Sequence, residues 1–340
     1  MRADILGAWT AAPGWSAELV AAAEFCGEDI DAAIGLAVAI GARLPAPGTG
    51  DTAQRWGVLS AVAAANLTAA RVLEAHSDAL AIMDEAGEPG PAAGSWGVFA
   101  AEAPPARLEA QSDGAGATLS GIKPWCSLGD RLDHALVTAH CADERQLFRV
   151  DLRQPSVSPA QPDGWVARGL RTVTSVPISF DRTPAHPVGA PGWYLVRPGF
   201  SWGGIGVAAC WHGGAAGLAA AVRAAATKRP GDLLHMHLGA IDVALHASGC
   251  ALADAAARVD AGEATGADGQ LLALRVRSVV ADAAERVLRH AGHALGPAPL
   301  AFDARYAARV ADLELYVRQH HAERDLAALG STLTASGAAR

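Results

Sequence analysis

The residues best suited by type to do chemistry lie near the end of the chain, in the run Arg318-Gln319-His320-His321. A guanidinium can anchor a carboxylate or polarise a thioester oxygen, and an unperturbed imidazole titrates near neutrality and can serve as a base. Just upstream, Tyr306, Val310, Leu313 and Val317 recur at helical spacing, which predicts one buried stripe on a single helix from Asp303 to Gly330. Glu314 and Arg318, four apart, would pair on its solvated side. On such a helix His320 and His321 point about 100° apart, so one of them at most faces a common site. Read as packing alone, the same run is the polar end of an amphipathic helix.

The other motifs point away from metals and dinucleotides. Histidines come in three near pairs, His235 with His237, His290 with His293, and His320 with His321, but no carboxylate or cysteine stands at ligand spacing beside them, so no metal site is expected. Gly204-x-Gly206-x-x-Ala209 has the form of a dinucleotide fingerprint. No second strand ending in an acid follows it, and the glycines read as close helix packing.

Gly121-Ile122-Lys123-Pro124-Trp125-Cys126-Ser127 reads as a turn leading into the strand-like run Asp133 to Ala139. Together with the C-terminal helix it resembles the acyl-CoA dehydrogenase family, in which a Gly-x-Lys-x-Trp-x-[Thr/Ser] turn lies against the flavin and a C-terminal helical domain closes the site. The resemblance extends weakly over most of the chain. It implies FAD as cofactor, with Trp125 against the ring and the Ser127 hydroxyl near its reactive nitrogen, where a donor stabilises developing negative charge. Taken without the resemblance, Trp125 is equally a core residue of a β domain. The stretch matching the family's Thr-Glu-Pro-x-x-Gly-Ser-Asp segment is Phe99 to Pro105, which implies Phe99 and Ala101 beside the cofactor. Glu102 and a proline are kept there, but Ala101 stands at the hydroxyl position and the Gly-Ser-Asp end is missing. The turn Lys228-Arg229-Pro230-Gly231 keeps the basic residue of a family turn that holds the adenosine end of FAD across a subunit interface. It gives Arg229 that role and implies a homo-oligomer, a dimer through the C-terminal bundle.

The family's base is a glutamate on the final helix, and here Arg318 falls at its position; a guanidinium is no base at neutral pH. Some members take the glutamate from the helix after the β domain, yet no Asp or Glu lies between Arg197 and Arg223. The implied activity is oxidation of an acyl thioester with the usual glutamate missing and His320 or His321 as substitute base, His320 preferred. The alternatives are a flavin monooxygenase-like enzyme of the same fold, or a non-catalytic relative kept for binding or assembly.

These residues need a scaffold, and the sequence supplies one in three successive regions. Residues 1 to 90 read as helices, with Ser16 and Asp51 or Thr52 as caps and one helix running from there through Ala70. Gly87 to Gly94 is a linker. Residues 91 to 198 carry short strands between Gly/Pro/Asp turns, the last at Trp193 to Val196, and predict a small barrel or sandwich. Residues 199 to 335 return to long helices. The fold class expected is therefore α+β and multidomain: helical N-terminal domain, middle β domain, C-terminal helical bundle.

At 340 residues, 51% hydrophobic and 18% charged, the chain is globular, and its net charge of −8 excludes a phosphate-neutralising surface. Lys123 and Lys228 are its only lysines. Five cysteines without a Cys-x-x-Cys pair, and an N-terminus lacking a signal-peptide pattern, lead to the expectation of a cytoplasmic protein with reduced thiols. The uncharged stretch between Arg197 and Arg223 is too rich in Gly, Ala and Ser to favour a membrane and predicts a buried helix.

Overall fold

A computed structural model describes residues 17–88, 93–112, 116–142 and 144–338. Four helices come first: α1 (Ala17–Cys26), α2 (Ile30–Gly41), α3 (Thr52–Ala65) and α4 (Leu67–Glu85). Ser16, proposed as a cap for α1, and residues 89–92 of the expected linker lie outside the described residues. The helix expected to run from Thr52 past Ala70 breaks at Asn66. Its side chain accepts from Ala69 N–H and so starts α4, while its amide donates to Gly27 O at 2.8 Å. Asp51 makes no capping bond; Asp260, from far along the chain, accepts from Thr52 N–H instead.

Seven strands follow: β1 (Trp96–Phe99), β2 (Leu108–Ser112), β3 (Ala117–Ser127), β4 (His134–Cys141), β5 (Glu144–Asp151), β6 (Val157–Pro159) and β7 (Ser175–Val188). β4 pairs with β2 and β5, β5 with β7, β7 with β3 and β3 with β2, which closes a ring around buried Leu119, Val137, Phe148 and Phe180. Of the small barrel or sandwich read from the spacing of turns, the pairing gives the barrel. Trp193–Val196, expected as its last strand, is instead a one-turn helix, α5. A four-residue apolar run has too little periodicity to separate the two.

The chain then enters α6 (Pro198–Lys228), α7 (Asp232–Asp260), α8 (Gly266–Leu295), the short α9 (Ala298–Phe302), α10 (Ala304–Tyr316) and α11 (Glu323–Ala338). Pro198 at the first turn of α6 costs no hydrogen bond there. Gly204 and Gly206, read as close-packing glycines, have only ordinary clearance, 3.6 Å to Arg277 and 3.4 Å to Trp56 from a Cβ; the close approach lies further along α6. A Cβ at Gly213 would lie 2.1 Å from Ser60 O, and one at Gly217 would lie 2.6 Å from Ala64 O, so α6 presses on the backbone of α3. α6 is the core helix of the protein, 83% buried over its most apolar window, and α7 is covered over only 33% of its own.

The single helix expected over Asp303 to Gly330 is two helices. Tyr306, Leu313 and Val317 are buried as the stripe requires, with Val310 packed against them. After Tyr316 the helix tightens to a 3-10 turn at Val317–Gln319 and leaves the helical path at His320 (φ −80°, ψ 126°). Tertiary contacts fix this break. The Arg277 guanidinium donates to Gln319 O at 2.8 Å and to Gly204 O at 2.6 Å while stacking on Trp211, so it binds the turn to α6 and α8.

Candidate active site

A cleft of about 810 Å³ opens between the barrel, α4, α5 and the segment Leu315 to Arg324. One wall is the end of β3. Along a regular strand Lys123 and Trp125 would share a face, because side chains alternate. The register with β7 shifts between Lys123 and Cys126, where Pro124 has no N–H to give and Trp125 takes a left-handed backbone (φ 58°). This bulge changes the phase: Lys123 and Cys126 stay buried, and the Trp125 indole is turned out, 58% exposed, onto the cleft. The segment read as a turn is therefore a bulged strand, and the core reading of Trp125 is excluded.

Beneath the bulge, the buried Lys123 ammonium donates to Glu102 Oε1 at 2.6 Å and to Thr138 Oγ1 at 2.9 Å. Burial pushes its pKa down. Burial alone would raise the Glu102 carboxyl, but hydrogen bonding and charge from Lys123 and His140 outweigh it and hold that carboxyl below its ordinary value. Glu102 is thereby committed to supporting the bulge. Beyond it, Ser127 Oγ lies 2.9 Å from Ser175 Oγ and accepts from Arg71 at 3.3 Å.

The floor comes from α4. Arg71, Glu74 and Asp78 sit at positions i, i+3 and i+7 and so share the face that meets the cleft. Arg71 donates to Glu74 Oε2 at 2.8 Å, and the Tyr316 hydroxyl donates to the same oxygen at 3.2 Å. Burial opposes the charge on Arg71, but Glu74 beside it more than offsets this and holds the guanidinium ionised. Burial pushes the Glu74 and Asp78 carboxyls up, against the pull of Arg71 on the first and of Arg197 and Arg55 on the second. Tyr194 adds an aromatic wall with its phenol pushed up to about 12 by burial.

The roof is the broken helix. Arg318 reaches the cleft with its guanidinium exposed and paired to Glu285 of α8, not held by Glu314 as the helical spacing suggested. His321 also lines the cleft; its backbone N–H donates to Asp325 Oδ2 at 3.1 Å and its ring Nδ1 stands 3.3 Å from Asp325 Oδ1. His320 does not line it. Its ring turns inward, Nε2 3.1 Å from Ser278 Oγ and edge-on to Trp211, and burial lowers its pKa. The preference for His320 over His321 is corrected by the break in the helix, which turns the His320 ring inward and leaves the His321 ring on the cleft, with Asp325 3.6 Å from His320 Nε2 and 3.3 Å from His321 Nδ1.

Of the residues expected beside a flavin, Ala101, Trp125 and Ser127 line the cleft. Phe99 does not: strand alternation puts it in the core at 1% exposure, and its neighbours Val98 and Ala100 face the cleft instead. Arg229 caps the exposed end of α6 and is not among the lining residues. Tyr316 is followed by the buried Val317 and then by Arg318, so no carboxylate stands where the family carries its base. Sequence reasoning passed over Arg71, Glu74, Asp78, Tyr194 and Tyr316. The available signal was charge recurring at i, i+3 and i+7 on a helix whose remaining face is apolar. No cluster of three or more His, Cys, Asp or Glu able to hold a metal occurs among the described residues.

No protein-family model and no curated protein matches the sequence. Solved structures do. Butyryl-CoA dehydrogenase from Megasphaera elsdenii superposes with a TM-score of 0.78 at 18% identity, covering 94% of this chain and 94% of that one. KijD3, in complex with FMN and dTDP-3-amino-2,3,6-trideoxy-4-keto-3-methyl-D-glucose, gives 0.76 at 19% identity over 95% of this chain and 90% of its own. Nitrososynthase from Micromonospora carbonacea var. africana gives 0.75 at 18% identity over 95% and 94%.

Proposed function

We propose that this chain, which has the acyl-CoA dehydrogenase fold, is a flavin-dependent oxidoreductase acting on a small polar substrate, closer to the monooxygenase-like members of that fold than to its thioester dehydrogenases. The observation that carries the reading is the bulge that presents Trp125 beside Ser127 on a cleft of about 810 Å³, walled by Val98, Ala100 and Ala101. An indole exposed on a cleft wall is an apolar platform for a planar ring. The residues fit the ring half of a flavin. They fit a pyrophosphate less well, because the Gly-Ser-Asp end is missing from the stretch Phe99 to Pro105. A mononucleotide therefore suits this chain better than the FAD implied by resemblance.

When bound, the flavin would supply hydride or electron acceptance. The protein's own contribution is clear from its groups. Trp125 holds the ring's face, and Ser127, whose oxygen accepts from Arg71, can turn its O–H from Ser175 Oγ toward the ring edge. Arg71 places a fixed positive charge next to that hydroxyl, which favours negative charge developing there. The substrate side is charged and aromatic, since Arg71, Glu74 and Asp78 line it together with Tyr194, Phe200 and Tyr316. A purely alkyl group placed against Arg71, Glu74 and Asp78 would strip water from these ions without replacing their hydrogen bonds. With no carboxylate at the family's base position, His321 is the imidazole of the roof segment that reaches the cleft.

The purified protein is expected to be yellow or to become so with FMN, and flavin released by heat should be the mononucleotide. Trp125→Ala should lower flavin affinity at least tenfold in a fluorescence titration. Anaerobic addition of butyryl-CoA should leave the visible spectrum unchanged, and prompt bleaching would overturn the polar-substrate reading.

The homo-oligomer is proposed through α7. Leu233, Met236, Val243, Ala247 and Cys250 form an exposed apolar stripe at three-, four- and seven-residue spacing along a helix whose other face packs on α8. A second copy would bury it isologously. Val243→Glu should convert a dimer to a monomer in light scattering at micromolar concentration, and a wild type that is already monomeric would refute the interface.

A further inference from the structure

Three carboxylates line the cleft, and they differ in what occupies them. Glu102 is held by Lys123 and His140, and Glu74 by Arg71 and Tyr316. Asp78 accepts no hydrogen bond from any described residue, although it lines the cleft at a floor otherwise fully paired. The cations near it have other engagements. Arg197 donates to Glu85 Oε2 at 2.6 Å, and Arg55 donates to Pro45 O at 3.1 Å and to Ser77 Oγ at 3.0 Å. Asp78 is half-buried, so its carboxylate keeps only part of its hydration, and a ligand that brings it a donor is favoured.

We infer that Asp78 is a specificity-determining residue that accepts a hydrogen bond from a neutral donor of the substrate, a hydroxyl group, at the inner end of the cleft. Its position sets a distance. Arg71 touches Ser127, and Asp78 lies seven residues further along the same helix, so the donor sits roughly 10 Å along the helix axis from the flavin-facing hydroxyl. The charge of the donor follows from the surroundings. Arg71 is matched by Glu74, Arg197 by Glu85, and Arg55 has Asp78 as the first of the acidic groups that favour its charge. The floor is therefore balanced as it stands, and an ammonium would add an uncompensated charge to it. A hydroxyl completes the hydrogen bonding of Asp78 and leaves the balance intact. Gly203 of α6 faces the same carboxylate from the side away from the cleft lining. A Cβ there would come within 2.9 Å of Asp78 Oδ1, so α6 lets the carboxylate stand between the two helices without being covered by a side chain.

The inference rests on the cleft being the substrate site, and a binding test separates it from the flavin reading. The probes are hexanoate, 6-hydroxyhexanoate and 6-aminohexanoate, which share one chain and one carboxylate and differ at the far end. Affinity is read by calorimetry at pH 7 on the purified protein, with flavin content recorded from its visible spectrum. Wild type is expected to bind 6-hydroxyhexanoate about tenfold more tightly than hexanoate, the effect of one hydrogen bond to a charged acceptor. Asp78→Asn, which keeps shape and removes the charge, should cut that preference to about threefold or less. Gly203→Ala, which crowds the carboxylate from α6, should cut it as well. Equal binding of hexanoate and 6-hydroxyhexanoate by wild type, a preference unchanged in Asp78→Asn, or tightest binding of 6-aminohexanoate would each overturn the inference. A hydroxyl preference that depends on Asp78 in a protein taking up no flavin would leave it standing and sink the cofactor reading alone.

Discussion

Arg71→Met is expected to destabilise the protein by about 3–5 kcal/mol, the cost of removing one partner from a buried ion pair. The cost arises because Glu74, 7% exposed, would keep its charge or take up a proton with only the Tyr316 hydroxyl left beside it. Arg71 also sits 5.9 Å over the Tyr316 ring, so the substitution removes packing between α4 and the end of α10. Two further variants separate charge from packing. Glu74→Gln keeps an acceptor for Tyr316 and removes the stranded charge, so Arg71→Met with Glu74→Gln should recover most of the lost stability. Urea unfolding at pH 7 reads both. A double variant no more stable than Arg71→Met would show that the loss is one of packing, and the ion pair would not be what holds the cleft floor.

That floor marks the boundary between what could be read from the residues and what could not. The order of helices, strands and helices was legible because the periods of 3.6 and 2 are set by backbone geometry alone, and each persists over many residues. Trp125 and Ser127 were legible because their spacing to Gly121 and Lys123 carries a resemblance. The bulge that brings Trp125 out is local chemistry too, since Pro124 cannot donate to the ladder. Phe99 could have been placed correctly by strand alternation, had the segment been treated as a strand and not as a motif.

What was hidden depends on tertiary contacts. His320 and His321 diverge where Arg277, 42 residues before Gln319, takes hold of that residue's carbonyl. Nothing in Arg318-Gln319-His320-His321 itself announces the break, and Ala322 then adopts a left-handed backbone (φ 47°) that its residue type does not favour. Arg71, Glu74 and Asp78 have the composition of a solvated helix face. They are buried because the barrel and the C-terminal segment close over them, and a single element does not carry that information. The energetics run the same way: Glu74 is tolerated because Tyr316 reaches it from elsewhere in the chain, and Asp78, though it accepts no hydrogen bond from any described residue, lies in the field of Arg197 and Arg55.

Acid should unfold this protein early, through two histidines that took no role in the candidate site. His76 Nδ1 accepts the Trp96 N–H at 3.2 Å and its ring is packed against Gly41, where a Cβ would meet it at 2.3 Å. His212, in α6, stands 2.8 Å from Ser248 Oγ, whose own hydroxyl also donates to Leu245 O. Burial lowers the pKa of each to about 4 from 6.5. For a base, a lowered folded pKa means that the unfolded chain binds more protons between pH 6.5 and 4, so stability is full above 6.5 and is lost as pH falls through that window. Each histidine then withdraws up to about 3 kcal/mol by pH 4, at 1.36 kcal/mol per pH unit. Two such losses approach the whole stability of an ordinary domain. Urea midpoints measured from pH 7.5 to 4.5 should fall steeply below 6.5, and His212→Gln, which keeps a donor for Ser248 and cannot take up a proton, should flatten the slope by about half. A pH profile unchanged by that substitution would mean that carboxylates, and not buried imidazoles, set the acid limit.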